Sequence, residues 1–518
     1  MLKDYNKAMK RKLLFLPVLS LFALTSCFGS SELFTLESQS ESQSSDASSE
    51  NSSSENSSSS ETSQEIKEDI NPTFDYSQQD YDDFFDPTKD VEVIVTISNN
   101  SISKLAEYGV ANYTRQEMYH PCDVVIRIDG EERFNGEEVG LRMKGNTSKN
   151  PNFVDNDGHL NACSHFKMSF NQTFDSETKN DYYIRTWESD AERKERKDRV
   201  FGAMKKIDFK WNRNNDNTFT KEAYAKEVYR DAGVLAQNIN LVKFTLKTDT
   251  DEKTYIYSAI ECIDSTMLKK YYSKSAAKGN LYKGVYARAD LTTDSISGIG
   301  VESESCDPWY QLKTNDDDPD HSLLINAIST LNKRADAATS KRELGNIINI
   351  DQVLKYMALS WVVGNPDDMR NNANNSYIYF ESDNNKMSII PYDDDRCFGI
   401  TNNWNVDMSD LPDYSTRMQG MSATNGGKVW QKNPLFWKLI LSETQNAGYS
   451  SKWPVIQEYQ DRYLQLCKEY ATKYLDADAF QDFTDQFVNA PNKNTAIGGP
   501  DNQTFAYYAQ HKLAVLSL

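Results

Sequence analysis

The chain has 518 residues, and its 77 acidic against 57 basic side chains give a formal net charge of −20 and a pI near 4.8. This balance argues against a nucleic-acid-binding protein, which needs a basic face to replace the counterions of the phosphate backbone. The length allows a large hydrophobic core and predicts either several domains or one elaborated domain.

The N-terminus has the pattern of an export signal. Basic residues between Lys3 and Lys12 precede the apolar run LLFLPVLSLFALTS, which is too short to span a bilayer as a mature helix. The run ends in LTSC, Leu24 to Cys27, which resembles a bacterial lipobox. Residues 1–27 are therefore predicted to be a lipoprotein signal peptide, and the alternative is an ordinary signal peptide cleaved nearby. A lipid on Cys27 would anchor the protein on the extracellular face of the bacterial cytoplasmic membrane.

Residues 28–70 consist mainly of Ser, Glu, Asn and Gln. Such a segment cannot bury enough apolar surface to offset the entropy lost on ordering. It is predicted to be a disordered linker, and the folded part is expected to begin near Asn71.

Several enzyme classes lack their motifs in this chain. The sequence has no H-E-x-x-H, G-x-S-x-G or G-x-x-x-x-G-K-[ST] pattern, so zinc proteases, serine hydrolases and P-loop enzymes are not indicated. The cysteines after Cys27 contain no C-x-x-C pair, which argues against a zinc site. Export permits disulfides, but the spacing selects no pairing, and buried free thiols fit the sequence equally well.

Residues 71–260 are predicted to be rich in β-strands. Apolar and polar residues alternate in DVEVIVTIS, CDVVIRIDG, EEVGLRMKGN and SHFKMSFN, and strands are also predicted for NLVKFTLKT and TYIYSAIECID. The segment TFTKEAYAKEVYRDAG is predicted to be a helix that Thr220 caps and Gly233 ends. Arg142 and Lys144 point away from the apolar residues of their strand, and an exposed sheet face is the simplest use for them.

Residues 261–518 are predicted to be mainly helical. DQVLKYMALSWVVG has apolar residues at helical spacing, with Asp351 as the N-cap and Gly364 at the C-terminal end. Further on, PLFWKLILSETQ, WPVIQEYQDRYLQLCKEYATKYL and DAFQDFTDQFVN are aromatic-rich helical patterns. Their aromatic side chains are expected to pack in a core rather than to bind a glycan or a partner.

The stretch GNPDDMRNNANNSYIYFESDNNKMSIIPYDDDRCFG, residues 364–399, concentrates oxygen-bearing side chains. It is predicted to form a loop, then a hairpin of SYIYFE and KMSIIPY around SDNN, with Asp393 at the end of the second strand. A helix, a loop with Asp and Asn, two strands and a further Asp follow one another in protein-kinase active sites. Those sites need a base near the acceptor hydroxyl and hard oxygens on Mg²⁺, so the order predicts phosphoryl transfer.

Segments rich in Asp and Asn also have plainer uses. These side chains stabilise turns, and an acidic cluster on an exported protein can bind structural Ca²⁺. DNDG at Asp155–Gly158 and NDDDPD at Asn315–Asp320 lack the full spacing of an EF-hand, so plain loops are the preferred interpretation of both.

Taken in order, these pieces resemble the spore coat protein H (CotH) family of atypical, kinase-like proteins. The similarity lies in VGLRMKGNTS, FKMSF, TKEAYAKEVYRDAGVLA, YIYSAIECIDSTML, GNLYKG, GNPDDMRNNANNSYIY and IIPYDDDRCFG, which extend over most of residues 90–399. The last two pieces are the most specific. The resemblance implies an α+β chain with an atypical protein-kinase-like two-lobe fold: residues 71–260 would form a β-rich N-terminal lobe and residues 261–518 a helical C-terminal lobe.

The resemblance assigns carboxylates and amides of this stretch to catalysis and metal binding. Asp367, in the G-N-x-D pattern, corresponds to the catalytic aspartate, and Asp368 is an alternative base. The implied magnesium ligands are Asp393, Asp395 as a helper, and an asparagine that is either Asn372 or Asn375. The chain has Pro-Tyr-Asp where the family usually has Pro-Trp-Asp, a conservative exchange that removes no ligand oxygen.

Residues of the β-rich part are implied to bind the nucleotide. Arg142 and Lys144 correspond to a basic pair before a glycine turn, and Lys167 to a strand lysine that contacts phosphate. Glu222, early in the predicted helix, would be the ion-pair partner of Lys167.

The implied activity is transfer of phosphate from ATP, with Mg²⁺, to Ser or Thr of proteins at the cell surface. The enzyme would be a lipoprotein tethered to the membrane through Cys27, without a nucleic-acid partner. Because ATP is scarce outside a bacterial membrane, a second hypothesis stays open: a non-catalytic, kinase-like adhesin or binding module.

Overall fold

The computed structural model of the chain describes residues 78–111, 118–145, 148–175, 183–285, 288–303, 306–400, 433–440, 455–493 and 504–516. The predicted signal peptide, Cys27, the linker and the boundary at Asn71 lie outside these residues. None of the described helices is both long enough and apolar enough to cross a membrane.

Seven strands close into a barrel. They are β1 (Val91–Thr96), β2 (His120–Ile128), β3 (Glu131–Met143), β4 (Phe166–Ser169), β5 (Lys206–Trp211), β6 (Ile239–Lys247) and β7 (Glu252–Glu261). Their order is β1-β2-β3-β4-β5-β7-β6, antiparallel throughout except that β1 and β6 pair in parallel. Inward-facing residues such as Val93, Met168 and Phe209 are fully buried and fill the barrel.

The chain is α+β as predicted, and the quoted strand patterns are strands. The β-rich part, however, is a closed barrel rather than a clear kinase-like N-terminal lobe. Closure depends on the pairing of β1 with β6, which lie far apart in the sequence. Alternating polarity shows where a strand lies but not which distant strand covers its edge, so the closed form could not be predicted locally.

The helices connect the strands and form most of the C-terminal part. They are α1 (Gln78–Phe85), α2 (Asn99–Ala111), α3 (Asp190–Asp198), α4 (Lys221–Asp231), α5 (Ser265–Tyr271), α6 (Ser322–Asn332), α7 (Ala337–Ile347), α8 (Ile350–Val363), α9 (Met369–Asn372), α10 (Pro434–Leu439), α11 (Gln457–Tyr474), α12 (Ala477–Gln486) and α13 (Phe505–Leu516).

A second sheet of five strands follows the barrel in the chain. Its strands are β8 (Leu281–Gly284), β9 (Ile299–Gly300), β10 (Tyr310–Leu312), β11 (Ser376–Phe380) and β12 (Met387–Pro391), in the order β12-β11-β8-β10-β9. The predicted hairpin is confirmed, because β11 and β12 are antiparallel neighbours. This sheet shares one hydrophobic core with α4, α6, α8 and the C-terminal helices, with Trp361 fully buried in it.

The predicted helices α4 and α8 are confirmed, but their N-caps differ from the prediction. Thr220 stands before α4, yet its side chain does not cap the helix; its hydroxyl lies 2.8 Å from that of Thr484. At α8 the cap is Asn349, whose side chain accepts the N–H of Gln352, whereas Asp351 lies inside the first turn. Thr220 is engaged by a tertiary contact, whereas Asp351 pairs with Lys355 one turn further along its own helix.

Gly364 ends α8 in the left-handed region, at φ +65°. A Cβ at this position would lie 2.1 Å from the hydroxyl oxygen of Tyr508, so the backbone conformation and the close contact both require glycine. The loop that carries Asp367 therefore leaves α8 in a defined direction.

The cysteines after Cys27 all lie in the described residues, and all are free thiols. Most of these thiols are buried, in agreement with the second of the two alternatives that the sequence left open, disulfides or buried free thiols.

Candidate active site

Lys210, near the end of β5, lies at the centre of the candidate site. Its ammonium nitrogen is 2.9 Å from both carboxylate oxygens of Glu222 in α4. The same nitrogen is 2.5 Å from Oδ1 of Asp393 and 3.3 Å from Oδ2 of Asp395. Because the Lys210 side chain is only 5 % exposed, these charges interact with little screening by water. One buried cation thus brings together carboxylates from α4 and from the segment after β12.

The two outer aspartates of the DDD segment differ in their proton affinity. Burial opposes ionisation of Asp393, but the charges of Lys210 and then Lys144 outweigh burial and lower its pKa. Burial raises the pKa of Asp395 to about 7; Lys210 opposes this increase and the charge of Asp393 adds to it. The site therefore pairs an ionised carboxylate with one that exchanges a proton near neutral pH.

Lys167 does not pair with Glu222, contrary to the prediction from the sequence. Its ammonium lies 3.1 Å from one oxygen of Asp208, whose other oxygen is 2.8 Å from Lys144. Lys167 and Asp208 are directly opposite each other on β4 and β5, so they interact as cross-strand neighbours. Glu222 pairs with Lys210, which follows Asp208 on the same face of β5.

Sequence reasoning missed both Lys210 and Asp208, although a signal was present. The segment KIDFKW alternates, with Ile207 and Phe209 in the barrel core and the two charged residues on the other face. A short strand that alternates apolar and charged residues shortly before the helix that carries Glu222 marks Lys210 as a candidate beside Lys167.

Of the predicted basic pair, Lys144 reaches the site. Its ammonium lies 5.3 Å from the centre of the Tyr392 ring, next to Asp393. Burial opposes its charge, but the neighbouring acidic groups outweigh burial and raise the pKa of Lys144. Arg142 instead places its guanidinium 5.3 Å from the ring of Tyr119, and the described contacts do not bring it to Lys210.

Asp367 lies in the loop after α8 and is surrounded by amides. Asn372 donates a hydrogen bond of 2.6 Å to its carboxylate, and Asn374 a longer one of 3.4 Å. Asn375 donates to the backbone carbonyl of Asp367 at 2.9 Å. Burial raises the pKa of Asp367; the bond from Asn372 opposes the increase and the charge of Asp393 adds to it. The charge of Asp393 thus acts on the predicted base.

Asp368, the alternative base, has contacts that stabilise the loop. One of its carboxylate oxygens accepts the N–H of Asn371 at 2.8 Å, which caps α9, and the other accepts the hydroxyl of Ser360. Burial raises its pKa to about 6, although the nearby Arg370 opposes the increase. The side chain is 4 % exposed, so it has little access to a substrate.

The side-chain amide of Asn372 has one oxygen, unused in the described part of the chain, that a metal ion could contact. Its nitrogen is used by Asp367, but its oxygen is buried without a hydrogen-bond partner among the described residues. A buried acceptor without a donor destabilises the fold, and a cation would satisfy it. Mg²⁺ prefers a few carboxylate and amide oxygens. Asn372, Asp393 and Asp395 offer oxygens of this type.

The DNDG loop forms a turn in the structure. Asp155 accepts the backbone N–H groups of Asp157 and His159 at 3.0 and 2.9 Å, and these side chains are exposed. The carboxylate of Asp155 thus stabilises the backbone of its own turn.

Comparison with known proteins agrees with the resemblance seen in the motifs. A family model described as CotH kinase protein matches residues 142–490, a span that contains Lys210, Glu222, Asp367 and Asp393. A search of curated proteins found no match. Since the family model covers more than half of the chain, the chain belongs to the CotH kinase protein family.

Proposed function

We propose that the chain is an atypical kinase, which transfers the terminal phosphate of ATP to Ser or Thr of proteins at the cell surface. The observation that carries the proposal is the buried Lys210, held by Glu222 of α4 and in contact with Asp393. Protein kinases hold nucleotide phosphates with a strand lysine paired to a helix glutamate, beside an aspartate that binds the metal. In this proposal the barrel acts as the N-terminal lobe, and the second sheet with its helices acts as the C-terminal lobe.

Lys144 and Lys167 supply positive charge for a triphosphate, whereas the charge of Lys210 is already matched by Glu222 and Asp393. Lys144 and Lys167 share the single carboxylate of Asp208, so this group keeps a net positive charge. Lys210 lies in the same region, because Lys144 acts electrostatically on Asp393, which Lys210 contacts. The phosphates of ATP would bind between these ammonium groups.

Asp367 is the proposed base. The oxygen of the acceptor hydroxyl forms a bond to the terminal phosphorus, the bond from that phosphorus to the bridging oxygen of ADP breaks, and the hydroxyl proton passes to Asp367. A pKa raised by burial makes this carboxylate a better proton acceptor than an exposed aspartate. The hydrogen bond from Asn372 holds the carboxylate in one orientation.

Asp393, Asp395 and the amide oxygen of Asn372 would hold Mg²⁺, with Asn375 as the alternative amide. When bound, Mg²⁺ supplies positive charge that stabilises the transferring phosphate. Lys210 already contacts both aspartates, so a metal ion competes with Lys210 for their oxygens. A nucleotide would relieve this competition, because its phosphates offer Lys210 a new partner.

The proposed location follows from the sequence. A lipid on Cys27 and a linker of residues 28–70 would hold the kinase outside the cytoplasmic membrane, where its acceptors would be surface proteins. The competing function is a non-catalytic binding module that keeps the fold without phosphoryl transfer.

The experiment is incubation of the protein with Mg²⁺, a surface-protein extract and ATP radiolabelled at its terminal phosphate. We expect label on Ser or Thr, identified by mass spectrometry. Asp367→Asn should abolish labelling, whereas Asp383→Asn, an exposed aspartate in the hairpin turn, should keep it. Binding of Mg·ATP without any transfer, either to the extract or to the chain itself, would favour the binding module.

A further inference from the structure

Asp394, the middle residue of the DDD segment, has different contacts from its two neighbours. One of its carboxylate oxygens lies 2.6 Å from the ammonium of Lys226 in α4, and both side chains are almost completely buried, at 2 % and 0 % exposure. The other oxygen accepts a hydrogen bond of 2.9 Å from the side chain of Asn365. Asp394 therefore connects α4 with the loop after α8.

Asn365 extends this connection to both functional aspartates. Its amide nitrogen also donates to the backbone carbonyl of Asp393 at 3.1 Å, and its amide oxygen accepts the backbone N–H of Asp367 at 3.0 Å. Asn365 is 1 % exposed, so solvent does not replace these bonds. Asp393 has φ +56°, in the left-handed region that is uncommon for non-glycine residues, although aspartate adopts it more readily than most. The bond from Asn365 holds the backbone of Asp393 in this conformation.

Lys226 lies one helical turn after Glu222, so both side chains project from the same face of α4. Glu222 reaches Lys210, and Lys226 reaches Asp394. The helix is thus attached to the site at two points, and its position determines where Glu222 presents its carboxylate.

We propose that Asp394 is a positioning residue: through Lys226 and Asn365 it holds the ion pair of α4, the loop of Asp367 and the strained backbone of Asp393 in one fixed arrangement. Two apolar side chains could fill this space without loss of stability, but they would not orient a loop through directional bonds. The inference deepens the proposed function and rests on it for its meaning in catalysis.

The test separates positioning from stability with paired substitutions in the full chain. Asp394→Asn and Lys226→Met each leave one buried charge unpaired and should lower the melting temperature. The double variant has no unpaired charge, so it should recover most of that loss. Its affinity for Mg·ATP, measured by calorimetry, should nevertheless stay at least about tenfold below that of the wild type. Asn365→Ala, which removes the other arm, should show the same loss of affinity.

The matched control is the double variant Asp231→Asn and Lys473→Met. This ion pair has the same 2.6 Å separation and also involves α4, but both side chains are about half exposed. It should leave both the melting temperature and the affinity for Mg·ATP near their wild-type values. A double variant at Asp394 and Lys226 that regained wild-type stability together with wild-type affinity would overturn the inference.

Hydrogen exchange gives a readout that does not depend on the kinase proposal. The backbone amides of residue 365, Asp367 and Asp368, and those of residues 392–396, should exchange faster in the stable double variant and in Asn365→Ala than in the wild type. If the wild type bound no Mg·ATP, the proposed function would fail, and exchange alone would decide the role of Asp394. Unchanged exchange in both variants would show that Asp394 does not position these segments.

Discussion

Replacement of Lys210 by methionine tests the electrostatic arrangement of the site most sharply. Methionine fills a similar volume, so the change mainly removes the charge that Glu222, Asp393 and Asp395 share. Removing one partner of a buried ion pair typically costs about 3–5 kcal/mol. Asp395, with its pKa near 7, takes up a proton readily and limits this loss. We therefore expect Lys210→Met to lower the free energy of unfolding by roughly 3 kcal/mol at neutral pH without divalent cations.

Mg²⁺ should reverse much of this loss. Without Lys210, Asp393 and Asp395 lose the ammonium group that contacts them, and a metal ion no longer competes with it for their oxygens. A ligand present at a hundred times its Kd stabilises the folded state by about 2.7 kcal/mol. Thermal unfolding with and without millimolar MgCl₂ should therefore show a larger stabilisation in Lys210→Met than in the wild type, while Mg·ATP binds the variant more weakly.

Lys473→Met is the matched control for Lys210→Met. Lys473 pairs with Asp231 at 2.6 Å, but its side chain is 59 % exposed, so its removal should change stability by at most about 1 kcal/mol. If Lys210→Met melted like the wild type and showed no additional response to MgCl₂, Lys210 would not be the cation that holds the carboxylates, and the reasoning would be refuted.

The remaining predictions concern the aspartates, acid stability and the N-terminal segment. Asp393→Asn should keep the fold but lose Mg·ATP binding and reduce transfer by orders of magnitude; a lower melting temperature with unchanged binding would make this carboxylate structural. Asp367→Asn should keep Mg·ATP binding and lose transfer, so weakened binding measured by calorimetry would count against its role as the base. Burial, and then Lys210, lower the pKa of His165 to about 3, so the unfolded chain binds a proton at this residue that the folded chain does not bind. His165 should therefore contribute a fall in stability of about 1.4 kcal/mol per pH unit from pH 6.5 down to about pH 3, while the raised pKa values of Asp368 and Asp395 act in the opposite direction. His165→Gln, which can keep a donor for the carbonyl of Trp211, should flatten this slope in denaturant titrations, and an unchanged slope would assign the acid sensitivity elsewhere. A chain that starts at Asn71 should fold as the full chain does, and a loss of helical signal in circular dichroism would contradict that boundary.

Local patterns were sufficient for the elements that carry the acidic stretch. The apolar spacing of α8, the glycine at its end and the alternation in β11 and β12 each depend on a few neighbouring residues. They placed Asp367 in a loop after a helix and Asp393 at the end of a hairpin, where the structure has them.

Contacts between distant elements could not be predicted in the same way. The partner of Glu222 depends on how α4 packs against β5, and the sequence alone did not distinguish Lys167 from Lys210. The register of β4 against β5 puts Asp208 opposite Lys167, so Lys167 forms its ion pair with Asp208 rather than with Glu222. Barrel closure and the buried contact of Asp394 with Lys226 could not be predicted for the same reason, because each joins segments that are remote in the chain.

Calorimetric titration of Mg·ATP into the full chain and into Lys210→Met tests the central claim most directly. The proposed kinase site predicts saturable binding to the wild type, dependence of that binding on Mg²⁺, and a clear loss of affinity in Lys210→Met. Absence of Mg·ATP binding to the folded wild-type protein, or equal affinity in the two proteins, would contradict a nucleotide site built around Lys210.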